Sequence, residues 1–246
     1  MDQPYLSVVV PAYNEETRIL ATLEANYAYL TQQAFTWEML IVIDGATDNT
    51  LGTVTQFAAG KEGIRWIDRK QNRGKGYTVR EGLLAAKGQI RLFSDADNST
   101  SLDHFDKMRP LLEAGNDIVI ASRDGKDAEG ATQAVPQAGI KRLLGNLGNL
   151  FIQVMAVPGI WDTQCGFKAF SAESTQKIFA HTRMDGWVFD IEVLALARRY
   201  GYSIGIIGAH WIDAEGSHVD RSHYINSLFE TAKLRWNLLT RKYPTT

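Results

Sequence analysis

Two aspartates one residue apart, Asp95 and Asp97, close a short apolar stretch from Ile90 to Phe93. In extended backbone, residues i and i+2 point to the same side, so both carboxylates can aim at one point. Two hard oxygen donors converging at a strand end suit Mg2+ or Mn2+, an ion that keeps positions open for water and substrate phosphates. A solvated acidic turn is the ordinary alternative for an isolated Asp-x-Asp. A helix–loop–helix calcium loop does not fit: Thr100 stands where that loop needs Gly, Asp106 where it needs Glu, and a strand comes first.

Other acids close earlier apolar runs. Asn14 and Glu15 follow Leu6–Val10, and Asp44 follows Met39–Ile43. Asn72-Arg-Gly-Lys-Gly76 opens a further helical stretch and puts Arg73 or Lys75 near substrate. It has neither the upstream Gly of a phosphate-binding Walker loop nor the third Gly of a dinucleotide fingerprint. Of the five histidines, His218 in Glu215-Gly-Ser-His218 is the candidate; His104, His181, His210 and His223 read as satisfied or solvated. Cys165, without a basic neighbour in sequence, reads as packing.

These residues need elements to hold them. Leu6–Val10 reads as an apolar, β-branched run and Met39–Ile43 as a second one, as in strands buried on both faces, with Ile64–Ile67, Ile90–Phe93 and Ile118–Ala121 as the third, fourth and fifth strands. Helical stretches alternate with them, ending near Thr31, Ala59, Ala86 and Glu113; Thr47 or Asp48 caps the second, and Ser99, Thr100 or Ser101 the fourth. Such alternation predicts a mostly parallel, twisted sheet with helices on both faces in a single α/β domain. Ligands of such sheets bind beyond the carboxyl ends of the strands, where the acids converge. The pattern changes after residue 121. Arg123–Gln137 reads as a mobile loop, Lys141–Met155 as a helix, and Lys168–Phe170 as a short strand. Ser171 caps a helix to Ala180; Phe189–Tyr200 is a helix, Ile204–Trp211 a strand and Tyr224–Arg241 a closing helix. In the last, Ile225, Leu228, Phe229, Ala232, Trp236 and Leu239 form one stripe, flanked by Lys233, Arg235, Arg241 and Lys242. It either packs on the sheet or rests on lipid.

A net charge of −2 gives no footprint for nucleic acid. A single cysteine excludes an internal disulfide and fits a reducing compartment. The apolar run from Leu147 to Trp161 is broken by Asn149, Gln153, Pro158 and Gly159, so no membrane span is expected, and no secretory leader. A cytoplasmic protein, peripheral at the cytoplasmic face of a membrane, is the expectation.

The ordered set Val8-Val-Val-Pro-Ala-Tyr-Asn-Glu15, Ile43-Asp-Gly-Ala-Thr-Asp48, Asn72-x-Gly-Lys-Gly76, Asp95-Ala-Asp97 and Ala121-Ser-Arg123 resembles the family 2 inverting glycosyltransferases. Asp162-Thr-Gln-Cys-Gly-Phe-Lys168, Trp187-Val-Phe-Asp-Ile-Glu192 and the run from Trp211 to Ser217 are similar to the polyprenyl-phosphate sugar transferases, the dolichyl-phosphate glucosyl branch before the mannosyl one. The resemblance implies the GT-A nucleotide-sugar-binding fold, with residues 1–121 as the nucleotide half and 122–246 as the acceptor half. It implies a nucleotide-sugar donor, UDP-glucose or alternatively GDP-mannose, and a lipid-linked phosphate acceptor. Pro11, Ala12, Tyr13, Glu15 and Asp44 would hold the nucleoside, Lys75 the donor, and Asp95 and Asp97 the metal on the diphosphate. Arg123 and Arg142 would meet the acceptor phosphate. Asp162 and Gln164 would line the sugar and acceptor side with His218, and Asp97, Arg123, Asp190 and Glu192 would form the catalytic set. Ile43 and Ala46 depart from the usual Asp-Asp-Gly-Ser, and the N-terminal membrane segment of the eukaryotic enzymes is not seen. The rivals are a non-catalytic sugar-nucleotide module and a glycoside hydrolase, the latter needing two acids that face each other across a bond.

Overall fold

A computed structural model describes residues 3–133, 139–212 and 221–244. Its strands are β1 (Leu6–Ala12), β2 (Trp37–Asp44), β3 (Ile64–Arg69), β4 (Ile90–Ser94), β5 (Ile118–Ser122), β6 (Thr132–Gln133), β7 (Phe167–Ser171), β8 (Ile204–Gly208) and β9 (His210–Trp211). Its helices are α1 (Ile19–Thr31), α2 (Thr50–Ala58), α3 (Lys75–Ala85), α4 (Phe105–Glu113), α5 (Gly139–Met155), α6 (Ala172–Phe179), α7 (Phe189–Arg199) and α8 (Arg221–Leu239).

Seven strands form one sheet in the order β3-β2-β1-β4-β7-β5-β8. All neighbours run parallel except β7, which is antiparallel to both β4 and β5. Side chains alternate between two cores. Leu6, Val8 and Val10 of β1 pack with Ile19 and Leu23 of α1, Phe57 of α2 and Phe105 of α4. Val9 lies on the other face with Val79 and Leu83 of α3 and Phe189 and Leu196 of α7. Each such fully buried aliphatic side chain contributes roughly 1.5–3 kcal/mol, and the two layers fix the strand ends that carry the acids. The expected parallel sheet with helices on both faces is present.

Its details differ in four places. First, the expected strand Ile204–Trp211 breaks at Ala209, whose N–H donates to the Ser122 carbonyl, and His210–Trp211 then pairs with β6. Second, the segment read as a mobile loop is pinned over its first part. Asp127 accepts the backbone N–H groups of Trp161 and Asp162, each at 2.8 Å, and the Ser122 hydroxyl at 2.7 Å; residues 134–138 lie outside the described residues. Third, the N-cap position of α2 is Asn49, whose side chain makes no capping bond, and Asp48, one of the two expected caps, stands one residue before it and accepts the Thr50 N–H; Ser171 caps α6 as read, accepting the Ser174 N–H at 3.1 Å. Fourth, on α8 the residues turned inward are Thr231, Leu234 and Asn237, while Phe229, Trp236 and Leu239 are 72%, 63% and 61% exposed. Among the described residues no helix is long and apolar enough to cross a membrane.

Candidate active site

Parallel β1, β2, β4 and β5 deliver their carboxyl ends to one edge, and antiparallel β7 brings its amino end there. That arrangement sets Gly166 directly against Asp95. The Asp95 N–H donates to the Gly166 carbonyl at 3.1 Å, and a Cβ on Gly166 would stand 1.9 Å from Asp95 Oδ2. The carboxylate therefore lies flat on a glycine α-carbon. Its Oδ1 is 2.8 Å from Lys75 Nζ, yet the ammonium is not aligned for a hydrogen bond and this buried oxygen makes none. Asp97, two residues on, is half-buried and turns one oxygen back to accept the Ser99 N–H at 3.0 Å.

Lys75 is the counter-charge of this edge. Burial works against its ammonium, but Asp95, Asp190 and Asp97 outweigh that cost and raise its pKa. The Trp187 ring lies 4.8 Å from its Nζ. Lys75 starts α3, and Gly74 before it has φ +97°, a conformation glycine adopts without strain. That turn is held by Asp44, which accepts the Arg73 and Gly74 N–H groups at 2.8 and 2.9 Å and pairs with Arg69. So Asp44, expected at the nucleoside, is buried and spends its oxygens on the loop that presents Lys75.

The turns after β1 and β2 are stitched together. Asn14, at φ +54°, accepts the Thr47 N–H at 2.8 Å, and Glu16 accepts that of Asn49 at 2.7 Å. Pro11 and Ala12 are buried at the end of β1, and Tyr13 after them is 44% exposed. Glu15 takes a two-point bond from Arg18, both at 2.8 Å.

On the other side of β4, Arg123 follows β5 and is bound in two-pronged fashion to Asp162, at 2.7 and 2.9 Å; its N–H adds a third bond at 2.8 Å. Burial opposes both charges. Even so, the pair holds Asp162 below the usual carboxylate range and the guanidinium above its own. Arg123 also lies 5.4 Å from the Trp211 ring. Gln164 donates its N–H to Asp162 at 3.3 Å. The Arg142 side chain and His218 lie outside the described residues.

Asp190 and Glu192 part company. Asp190 is buried against Lys168, itself fully buried, with Nζ to Oδ1 at 2.6 Å. Burial lifts the Asp190 pKa; Lys168 and then Lys75 pull it back without cancelling the rise. Glu192, also fully buried, accepts the Arg183 and Met184 N–H groups at 2.8 and 2.9 Å and the Tyr243 hydroxyl at 2.5 Å. Its carboxylate serves the chain rather than the strand edge, so grouping it with Asp97 and Arg123 is corrected. Cys165 is buried, and burial pushes its thiol up to about 11, in keeping with packing. His104 is satisfied, its Nε2 accepting the His210 N–H at 3.1 Å.

The family model described as glycosyl transferase family 2 matches residues 7–179, the span that carries every strand end just described except those of β8 and β9. The chain belongs to that family. This glycosyltransferase is 36% identical over 234 residues to dolichyl-phosphate beta-glucosyltransferase of Saccharomyces cerevisiae, covering 88% of this chain and 69% of the relative. To the proteins of that name in Dictyostelium discoideum and Homo sapiens it is 32% and 33% identical, covering 89% and 86% of this chain and 70% and 68% of theirs. In fold it is similar to glucosyl-3-phosphoglycerate synthase of Mycobacterium tuberculosis, solved with Mn2+, UDP and phosphoglyceric acid. The TM-score there is 0.68 at 19% identity, covering 97% of this chain and 78% of the other. It is also similar to mannosyltransferase PcManGT of Pyrobaculum calidifontis, solved with GDP-Man and Mn2+. That match has a TM-score of 0.63 at 17% identity, covering all of this chain and 67% of the other. The GT-A fold expected of family 2 is thus present.

Three residues of this candidate site carry no local signal in the sequence. Gly166 and Lys168 become neighbours of Asp95 and Asp190 only because β7 inserts antiparallel beside β4, some seventy positions away in sequence. The third is Asp127, an acid in a stretch rich in Gly, where an Asp that orders the loop carries no periodicity to read.

Proposed function

We propose that this glycosyltransferase transfers glucose from UDP-glucose to a dolichyl or other polyprenyl phosphate, with inversion at the anomeric carbon. The observation that carries the reading is the gathering of Asp95, Asp97 and Lys75 at the carboxyl end of β4, a diphosphate-binding arrangement. The likeness to dolichyl-phosphate beta-glucosyltransferases over most of the chain supports the choice of substrates.

Two hard carboxylates at one strand end, with one Asp95 oxygen met by the Lys75 ammonium at 2.8 Å, fit Mg2+ or Mn2+. Among the described residues no three acids, histidines or cysteines gather to cage an ion, so Asp95 and Asp97 would hold it together with diphosphate oxygens and water. Bound there, the ion supplies charge neutralisation for the leaving diphosphate. Lys75 adds a second positive charge that Asp95, Asp97 and Asp190 keep protonated. Pro11, Ala12, Tyr13 and Glu15 take the nucleoside, with Asp44 ordering the adjoining turn. Residues 1–121 serve the donor and 122–246 the acceptor.

Asp162 engages Nε and Nη2 of Arg123, which leaves Nη1 of the fixed fork for a phosphate oxygen of the acceptor. A phosphate monoester is already anionic near neutral pH and needs no strong general base. Arg142, Gln164 and His218 would complete that side. Phe229, Trp236 and Leu239 of α8 are exposed, as are Leu147, Leu150 and Val154 of α5, the helix against which α8 packs. With Lys233, Arg235, Arg241 and Lys242 at the rim, this face suits the surface of an anionic bilayer, on its cytoplasmic side, where a lipid acceptor would be met.

The test is product formation from radiolabelled UDP-glucose or GDP-mannose with a short polyprenyl phosphate and Mg2+ or Mn2+. The reading expects a glucosylated, organic-extractable lipid from UDP-glucose only. Product from GDP-mannose alone overturns the donor, and the absence of any lipid product overturns the acceptor.

A further inference from the structure

Glu192 is too deeply buried to meet substrate, yet its carboxylate is the most heavily used on α7. Both of its oxygens accept backbone N–H groups of the 183–184 segment. The next residue, Asp185, gives its carbonyl to the Gly76 and Tyr77 N–H groups at 2.8 and 3.3 Å, satisfying the open first turn of α3. Its carboxylate pairs with Arg80 at 2.6 Å, and Arg80 also donates to the Thr182 carbonyl. The fit is close: a Cβ on Gly74 would stand 2.4 Å from the Asp185 oxygen, and one on Gly76 2.5 Å from that of Met184. Between those glycines sits Lys75. Two residues beyond Asp185 comes Trp187, whose ring faces the Lys75 ammonium. Segment 183–187 is thus a bracket that seats both the lysine and the indole of the diphosphate site.

The bracket's other anchor is Tyr243, just past α8. It is buried, and its hydroxyl donates to Glu192; Arg199 ties down the same end of the chain through the carbonyls of Leu238 and Pro244. We propose that Glu192 and Tyr243 are a positioning pair, through which the seating of α8 sets where Lys75 and Trp187 stand at the donor diphosphate. This deepens, and rests on, the reading of the β4 edge as a nucleotide-sugar site.

The experiment removes one oxygen. Tyr243→Phe keeps the ring in the core and deletes only the donor to Glu192. Hydrogen exchange measured on the whole chain is expected to quicken at 183–187 and at 74–77, while the other strands keep their protection. UDP with Mn2+ is expected to bind about 3- to 10-fold more weakly, the range for losing one buried hydrogen bond. In a Lys75→Met background Tyr243→Phe should weaken binding by a clearly smaller factor, because one of the two groups that the pair positions is already gone. Glu192→Gln, which retains one acceptor oxygen, should fall between wild type and Glu192→Ala. The proposal is overturned if exchange at 74–77 is unchanged, or if Tyr243→Phe weakens binding by the same factor with and without Lys75. It is equally overturned if protection is lost uniformly, the mark of plain destabilisation. Should the wild-type protein bind no UDP with Mn2+, the functional reading fails, and exchange at 74–77 alone then decides for or against the pair.

Discussion

Gly166→Ala offers a sharp perturbation of the site, because it adds one carbon at one known place. A Cβ there would fall 1.9 Å from Asp95 Oδ2 and 2.2 Å from its Cγ. Ordinary contact begins near 3.4 Å, so the carboxylate has to retreat by about 1.5 Å. The backbone itself tolerates alanine, since Gly166 is not among the residues at positive φ. Asp95 is half-buried and can swing on χ1, so the fold bears little of the strain and the melting temperature should change by only a few degrees. Displacement of about 1 Å in a catalytic constellation costs on the order of 100-fold in rate, or about 2.7 kcal/mol of barrier. Gly166→Ala is therefore expected to lose about two orders of magnitude in kcat/KM for UDP-glucose, approaching Asp95→Asn, while remaining folded. The assay is initial-rate transfer under saturating Mg2+, with circular-dichroism melts alongside. Turnover within twofold of wild type, in a protein that melts normally, would refute the claim that Asp95 must rest on Gly166 to act.

Three further outcomes follow from the same geometry. The Asp162 carboxyl is held below the usual carboxylate range, with Arg123 outweighing burial; its contribution to stability is complete above the unfolded value near 3.9 and fades as pH falls through the lower folded value. Asp162→Asn should thus cost about 3–5 kcal/mol in denaturant unfolding at pH 7, and the gap from wild type should narrow below about pH 4; a gap independent of pH would be the contrary result. Replacing exposed Trp236 or Phe229 by Glu should weaken co-sedimentation with anionic vesicles at least tenfold, the scale of exposing one large apolar side chain, and unchanged sedimentation would remove α8 from the membrane. Cys165, buried with its thiol pushed up to about 11, should resist iodoacetamide in the folded protein at pH 8 over the time that labels a free thiol completely, as mass spectrometry would show.

The central strands β1, β2, β4 and β5 were legible because each is short, mostly apolar and buried, and the carboxyl ends of β2 and β4 therefore named Asp44, Asp95 and Asp97 as neighbours. What followed residue 121 was harder to read. β7 has the sequence of any short strand, and nothing local in Phe167–Ser171 says that it slots antiparallel between β4 and β5. That long-range choice turned Gly166 into the floor under Asp95 and carried Lys168 to Asp190. The proximity of Asp190 and Glu192 in sequence misled for a related reason: two positions apart on a helix is nearly opposite faces. One carboxylate accordingly meets Lys168 and the other meets Tyr243. For the α8 stripe, packing on the sheet is the alternative that fails, because Thr231, Leu234 and Asn237 take the inward face and leave Phe229, Trp236 and Leu239 outside.

In the proposed function, Asp95 and Asp97 together hold a divalent ion that also grips the donor's diphosphate. Titrating Mn2+ by electron paramagnetic resonance, with and without UDP, asks this directly. One tightly held ion per chain is expected when UDP is present, lost in both Asp95→Asn and Asp97→Ala. Mn2+ and UDP binding as well to Asp97→Ala as to the wild-type chain would contradict it.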